Sequence, residues 1–346
     1  MALLTPQQTV RFFILGLPIG LVITGIAAMF IYFKVDTVRE REESRVILSK
    51  ALNETDLRAQ VQVLAGGIGA RHAGAPETLA SAQKYVQSTL GPANLGFKVS
   101  RHEYEVAGET FYNLEIDLPG APGPRAEEIV LVTANYDTVA GSPGADSNAS
   151  GVSAMMSLAQ SFGGAASARS LRFVALVNEV PPWAGTERSG SAAYAASLRT
   201  RQDKVVAVVS LEGLGIYLDG AESQRNPAGP ALVFPPVGNF LAMIANARGA
   251  EFLSGASADF ATATKLPLVA VSGVGQPALL GESMGKGFDA AGLAVLRVTD
   301  TGALRAVDFQ LAGDRVDKLD FGRLLEATRG IEAVLRTLLN PAPSRR

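Results

Sequence analysis

The chain has no cysteine, two histidines and one tryptophan among 346 residues. Without thiols there is no disulfide framework, no thiolate zinc site, no iron–sulfur cluster and no cysteine nucleophile. The redox compartment stays open, because a thiol-free protein suits either kind. A mechanism that needs two imidazoles has to use both His72 and His102, and both fall in the first third of the chain. Charge is also sparse. Thirty-one basic and 33 acidic side chains leave a formal net charge of −2, so no electrostatic footprint for nucleic acid is present. Apolar residues are plentiful. At 47% hydrophobic and 18% charged the chain buries a sizeable core and is not intrinsically disordered. Its length fits one large α/β domain with an extension.

The extension lies at the amino terminus. Phe12 to Phe33 is 22 residues without a charge, bounded by Arg11 and Lys34. At the helical rise it spans roughly 33 Å, enough for a bilayer core. Phe30, Tyr32 and Phe33 suit an interfacial aromatic belt. A cleaved signal peptide would have a shorter apolar region and a small-residue cleavage site, whereas this run ends in Met29-Phe30-Ile31-Tyr32-Phe33. The expected organisation is a short tail (1–11), a transmembrane helix (12–33), a charged helical stalk (34–60), an α/β domain (61–340) and a flexible tail (341–346). The lipid bilayer is thus an expected partner through Phe12–Phe33. Lys34, Arg39, Arg41 and Arg45 favour a cytoplasmic carboxyl side by the positive-inside rule, but large domains translocate largely regardless of flanking charge.

Within the domain, strands and helices alternate. Helices are expected at Glu77–Leu90, Gly151–Phe162, Ser189–Leu198, Gly238–Ala247 and Asp320–Leu339. Strands are expected at Phe97–Val106, Tyr112–Leu118, Glu128–Ala134, Leu171–Val177, Val205–Leu211, Leu266–Val271 and Leu293–Val298. This order implies a three-layer α/β sandwich with a mostly parallel central sheet. In such sheets sites form beyond the carboxyl ends of strands. The stretches that matter are therefore Asn135–Gly151, Asn178–Gly190, Glu212–Tyr217 and Thr299–Lys318.

Those stretches read LVTANYDTVAGSPGADSNASGVSAMMSLA, FVALVNEVPPWAGTERSGSAAYA, VVSLEGLGIYLD and VLRVTDTGALRAVDFQLAGDRVDKLDF, and upstream lies LAGGIGARHAGAPETLASAQKYVQSTLG with its Arg71-His72 pair. In this order, over roughly residues 60–340, they resemble the family-28 zinc peptidases, which include bacterial aminopeptidases and glutamate carboxypeptidases. The resemblance implies a zinc aminopeptidase-like fold and two zinc ions held by two histidines and three carboxylates, with a glutamate as base. Bound zinc would activate a water and polarise the scissile carbonyl.

Carried over residue by residue, the resemblance fails at the metal. The first histidine falls on Asn135, and the aspartate that orients it is kept as Asp137. The bridging aspartate falls on Ser147, whose register is fixed by Gly144-Ala145-Asp146 and Asn148-Ala149-Ser150-Gly151. In the Glu-Glu pair, pinned by Pro181-Pro182, the base is kept as Glu179 and the ligand becomes Val180. The next acidic ligand is kept as Glu212. The last histidine falls on Gln310, after Phe309 in place of tyrosine, and the family's S-D-H segment reads Ser283-Met284-Gly285. Amides are poor zinc ligands, serine is rarely one and valine cannot be one. The expectation is thus no zinc and no active catalytic residue, with Glu179 a vestigial base in a vestigial cleft.

Other features carry less. His72 and His102 are not expected to bind metal. Asp137, Asp146, Glu179 and Glu212 could gather around a hard cation such as Ca²⁺ or Mg²⁺. Gly281-Glu282-Ser283-Met284-Gly285 matches a nucleophile elbow, but no histidine follows it in the chain. Trp183 follows the Pro-Pro turn and serves either packing or contact with a bound peptide or partner. Three functions remain open. The first is a membrane-anchored, inactive peptidase-like protein that binds other membrane proteins or serves as a subunit of their assembly. The second is a zinc peptidase with a rearranged metal site. The third is a peptide-binding module whose cleft captures an amino terminus with Glu179 and Glu212. The family's usual setting places the domain outside the cytoplasm, on a single-pass anchor in the inner membrane.

Overall fold

The computed structural model describes residues 49–226, 234–272 and 283–341, together with Pro6 and Thr24. The apolar run 12–33 lies outside the described residues apart from Thr24, as do the stalk up to residue 48 and the tail from 342. Among the described residues no helix is long and apolar enough to cross a membrane.

Helices α1 (Glu54–Val61) and α2 (Pro76–Leu90) precede strands β1 (Ser100–Val106), β2 (Glu109–Leu118) and β3 (Glu128–Asn135). Helix α3 (Gly151–Ser161), β4 (Ser170–Leu176), α4 (Gly190–Arg201) and β5 (Lys204–Leu211) follow. The chain continues with β6 (Leu241–Ala245), α5 (Ala250–Ala263), β7 (Leu268–Ser272), α6 (Gly285–Ala290), β8 (Val295–Thr299) and α7 (Phe321–Leu339). The helix starts have chemical causes. Asn53, Ser189 and Asp320 each accept a backbone N–H with the side chain at the first turn of α1, α4 and α7.

The eight strands form one sheet in the order β1-β2-β4-β3-β5-β8-β6-β7. Its centre is parallel, and so is the outer β6–β7 pair. Strands β4, β3, β5 and β8 run together, while β1 and β2 on one flank and the β6–β8 pairing on the other are antiparallel. The expected mostly parallel sheet is thus a mixed sheet with a parallel core.

Residue alternation explains the layers. In β3, Val130, Val132 and Ala134 join one buried cluster with α1, α2, α3, α5 and α7, whereas Leu131 turns to the opposite cluster with Tyr194, Leu198 and Phe288 of α4 and α6. Strands β4 and β5 divide in the same way, Ala175 and Val209 against Val174 and Val208. A two-residue period with both faces covered produces near-continuous apolar strands. Helix α3 is buried along almost its whole length, consistent with its small and apolar residues GVSAMMSLAQS.

Three expectations need correction. The segment 238–247 is not a helix but holds β6, whose five residues Leu241–Ala245 are all buried. A continuous apolar run in a doubly covered strand has no period of its own to separate it from a buried helix. Helix α5 was not anticipated, because Ala250–Ala263 is rich in small residues and only Leu253, Ala256 and Phe260 are buried. The stalk assigned to 34–60 also ends too late. Leu57 and Val61 of α1 are completely buried in the main core, so the domain begins before residue 61.

Candidate functional site

A cavity of about 340 Å³ opens at the carboxyl ends of the parallel strands. Its wall includes Asn135, Ser147, Glu179, Val180, Glu212 and Gln310, which are separated by up to 175 residues of chain. Each arrives from a strand end or the turn beyond it. Asn135 closes β3, Glu179 and Val180 follow β4, Glu212 follows β5, and Gln310 lies in the loop after β8. Asp137 sits behind this wall, fully buried.

The polar atoms of the site are engaged with one another. Asn135 donates its side-chain amide to the Asp137 carbonyl and carboxylate, both at 3.0 Å, and its side-chain oxygen accepts from the Asn148 amide at 3.0 Å. Asn148 also donates to the Leu211 carbonyl and accepts from the Gly213 N–H, which ties the ends of β3 and β5 to the Ser147 turn. Gln310 donates to Ser147 Oγ at 3.1 Å. The second oxygen of Asp137 accepts the Glu179 N–H at 3.0 Å. Val180 contributes a side chain with no donor atom to the wall.

The two glutamates differ. Glu179 accepts the Ser191 N–H at 2.5 Å and the Ser191 hydroxyl at 3.1 Å, in the first turn of α4. Burial, reinforced by the nearby Asp137 carboxylate, pushes its carboxyl well above the usual range. Glu212 pairs with Arg297 at 2.6 Å through one oxygen, and the other accepts the Ser210 and Ser283 hydroxyls, each at 2.6 Å. Ser283 therefore braces Glu212.

Below the cavity lies a second layer of carboxyls. Asp314 accepts the Asp146 N–H at 2.7 Å and the Ser147 N–H at 3.1 Å, and so clasps the turn. Asp146 accepts the Gly215 N–H, and Asp300 accepts those of Ile216 and Gly302. Burial, then the Asp300 and Asp314 carboxyls, push Asp146 well above the usual carboxylate range. The four acidic residues that the sequence allowed to gather around a hard cation, Asp137, Asp146, Glu179 and Glu212, turn to separate partners. Among the described residues no group of three or more His, Cys, Asp or Glu is arranged to hold a metal.

On the near side of the turn, Gly144 has φ +60°, and a Cβ there would stand 2.4 Å from Thr138 Cγ2 and 2.5 Å from the Ser147 carbonyl. Gly144→Ala is expected to lower stability by about 2 kcal/mol or more, read from urea unfolding. Unchanged stability would show that the turn relaxes freely.

Other sequence candidates lie elsewhere. Trp183 is half-buried against the core beside the cavity rather than in its wall, with the Arg188 guanidinium 5.6 Å from its ring centroid. His102 packs between Tyr104 and Tyr194 on β1, and burial pushes its pKa down. Neither His102 nor His72 lines the cavity. The residues that sequence reasoning passed over are Arg297, Asn148, Ser191 and Asp314. Arg297 had a usable signal, as the one charge inside the apolar strand Val295–Thr299.

Comparisons with known proteins agree with this architecture. Residues 113–264 match Peptidase family M28. A zinc aminopeptidase from Bacillus subtilis, BSAP, superposes with a TM-score of 0.63 at 14% identity, covering 86% of this chain and 97% of that one. The LapA aminopeptidase of Legionella pneumophila gives 0.62 at 15% identity, covering 84% and 73%. The glutaminyl cyclase of Fimbriiglobus ruber gives 0.57 at 16% identity, covering 83% and 96%. In sequence the chain is 24% identical over 295 residues to the Escherichia coli K12 protein described as "Uncharacterized protein YfbL", covering 77% of this chain and 88% of that one. The fold is therefore aminopeptidase-like. Together with the match over residues 113–264, this supports a family-28 peptidase-like domain.

Proposed function

We propose that this protein is a membrane-anchored peptidase-like subunit that binds rather than hydrolyses, and that works within a membrane protein assembly. One observation carries the reading. The positions that the family resemblance assigns to metal ligands meet in a single cavity as Asn135, Ser147, Val180, Glu212 and Gln310. Zinc does not fit this donor set. The Asn135 oxygen is taken by Asn148, the Gln310 amide faces Ser147, Val180 has no donor, and Glu212 is held by Arg297 and two hydroxyls. Without a metal-activated water, Glu179 has nothing to deprotonate, and its carboxyl is held by Ser191 instead. The 22-residue run Phe12–Phe33 supports the anchor.

The test is metal analysis and turnover on the detergent-purified chain. Zinc per chain and hydrolysis of aminoacyl and peptide substrates are both expected to be near zero. Stoichiometric zinc, with activity abolished by Glu179→Gln, would instead establish a peptidase with a rearranged site. Mild detergent extraction is expected to bring down a stable complex. Protease added to intact spheroplasts is expected to trim the domain, as an extracytoplasmic location requires.

A second reading has its own support. Two glutamates, Glu179 and Glu212, line an open cavity, and Glu179 is held by N–H and hydroxyl donors rather than by a cation. A peptide's amino terminus would complement it. A lone monomer that binds free-amine peptides, but not their acetylated forms, would favour this reading over assembly.

A further inference from the structure

We propose that Arg297 is a built-in substitute for the metal's charge: its guanidinium holds Glu212 in the cleft and bars that carboxylate from coordinating a cation. The inference deepens the non-hydrolytic reading and rests on it only for the meaning of the barred coordination. The ion pair itself stands independently.

Strand geometry puts the pair together. Ser210 and Arg297 are register partners on the parallel strands β5 and β8, so their side chains leave the same face of the sheet. Glu212 lies two residues beyond Ser210 and returns to that face, and its N–H donates to the Val298 carbonyl at 2.9 Å. Val208 and Val295, on the same face two residues earlier on each strand, belong to the smaller buried cluster. The two strands thus run from an apolar floor to a charged rim within one pleat. Thr299, two residues beyond Arg297, continues into the cavity wall.

The chemistry of the pair is specific. Arg297 and Glu212 side chains are only 9% and 10% exposed, so each would be a costly buried charge without the other. A guanidinium presents a planar donor fork that an ammonium lacks. Glu212 has one oxygen on Arg297 and the other on two serine hydroxyls, which leaves neither oxygen as a ready metal donor. A divalent cation entering the cavity would meet a fixed positive charge beside the last acidic side chain at the ligand positions. At such separations, repulsion in a partly desolvated site is strong.

Two arms test this on the full chain in detergent. The first is a double-mutant cycle of Arg297→Met, Glu212→Gln and both together, read as melting temperature. Each single change is expected to lower Tm by roughly 6 °C or more, and the double variant is expected to recover at least half of that loss. Strictly additive losses would overturn the pair as the organising contact. The second arm restores the ligands with Asn135→His, Ser147→Asp, Val180→Glu and Gln310→His, with and without Arg297→Met, and measures zinc by equilibrium dialysis. With Arg297 intact, zinc is expected to bind at least 10-fold more weakly. Equal affinity would overturn the barring role. If the restored chains fail to fold, the cycle alone decides, since additive losses remove the premise and coupled losses sustain it. Zinc content of the unmodified chain bears separately on the non-hydrolytic reading, so failure of either idea is distinguishable.

Discussion

Arg71→Ala is expected to lower the domain's unfolding free energy by about 4 kcal/mol, the largest single effect outside the apolar core. The guanidinium is fully buried and donates to the carbonyls of Tyr136, Leu64, Gly69 and Pro143 at 2.7–2.9 Å, with Gly144 further off at 3.3 Å. It fastens the π-helical segment Gln62–Ile68 to the loop that runs from β3 towards Ser147. Burial pulls its pKa down to about 10, opposed by the Asp137 and Asp314 carboxylates, so it remains a cation at neutral pH. Truncation would orphan several carbonyls at once and leave those carboxylates without their nearest buried counter-charge. Arg71→Lys is expected to recover less than half of the loss, because three tetrahedral donors do not reproduce a planar fork of five. Urea unfolding with an unchanged m-value is the measurement. A loss below about 1 kcal/mol for the alanine variant would mean that the loops hold themselves.

The second large effect concerns pH. Glu179 is buried with a raised pKa, and Asp137 is pushed up to about 6, chiefly by burial. For an acid whose folded pKa is raised, the neutral form is the one the fold favours. No stability is lost below the unfolded pKa near 4. Stability then falls as pH rises towards the folded pKa and is level above it. For Asp137 that window is about pH 4 to 6, and the loss is of order 3 kcal/mol. Glu179, whose carboxyl burial also pushes up, adds a loss in the same direction. The chain is therefore expected to be more stable at pH 5 than at pH 8. Glu179→Gln is expected to raise stability at pH 8 by about 2 kcal/mol, with a gain that shrinks towards pH 4. The amide can still accept the Ser191 N–H and can donate to the Ser191 hydroxyl. A variant less stable than the parent at pH 8 would show that the carboxylate is compensated in a way not yet identified. The outcome also bears on function, since a hydrolase base has to be present as its carboxylate at the working pH.

The cleft was legible in sequence because its residues stand at strand ends, where position follows from chain order. Asn135, Ser147, Val180, Glu212 and Gln310 all line one cavity. Strands such as Glu128–Asn135 were legible because they are continuous apolar runs between polar turns. The same property concealed β6, because the continuous apolar run Leu241–Ala245 has no period that separates it from a segment of a fully buried helix. What could not be read was partnership across the sheet. That Arg297 meets Glu212, or that Asp314 meets the Ser147 turn, depends on strand order rather than on spacing. Trp183, conspicuous as the sole tryptophan, proved a neighbour of the cavity rather than part of its wall.

The Asp314 clasp has a consequence for how the protein is made. Its two acceptor oxygens serve backbone groups 168 and 167 residues earlier in the chain. During synthesis, β3 and α3 emerge long before the segment that fixes the turn between them. The cleft therefore acquires its final shape only after Asp314 has been made and β8 has entered the sheet between β5 and β6. A nascent chain released before Asp314 would carry its central strands without the fastening that closes the cavity floor, and should be an early target of proteolytic quality control.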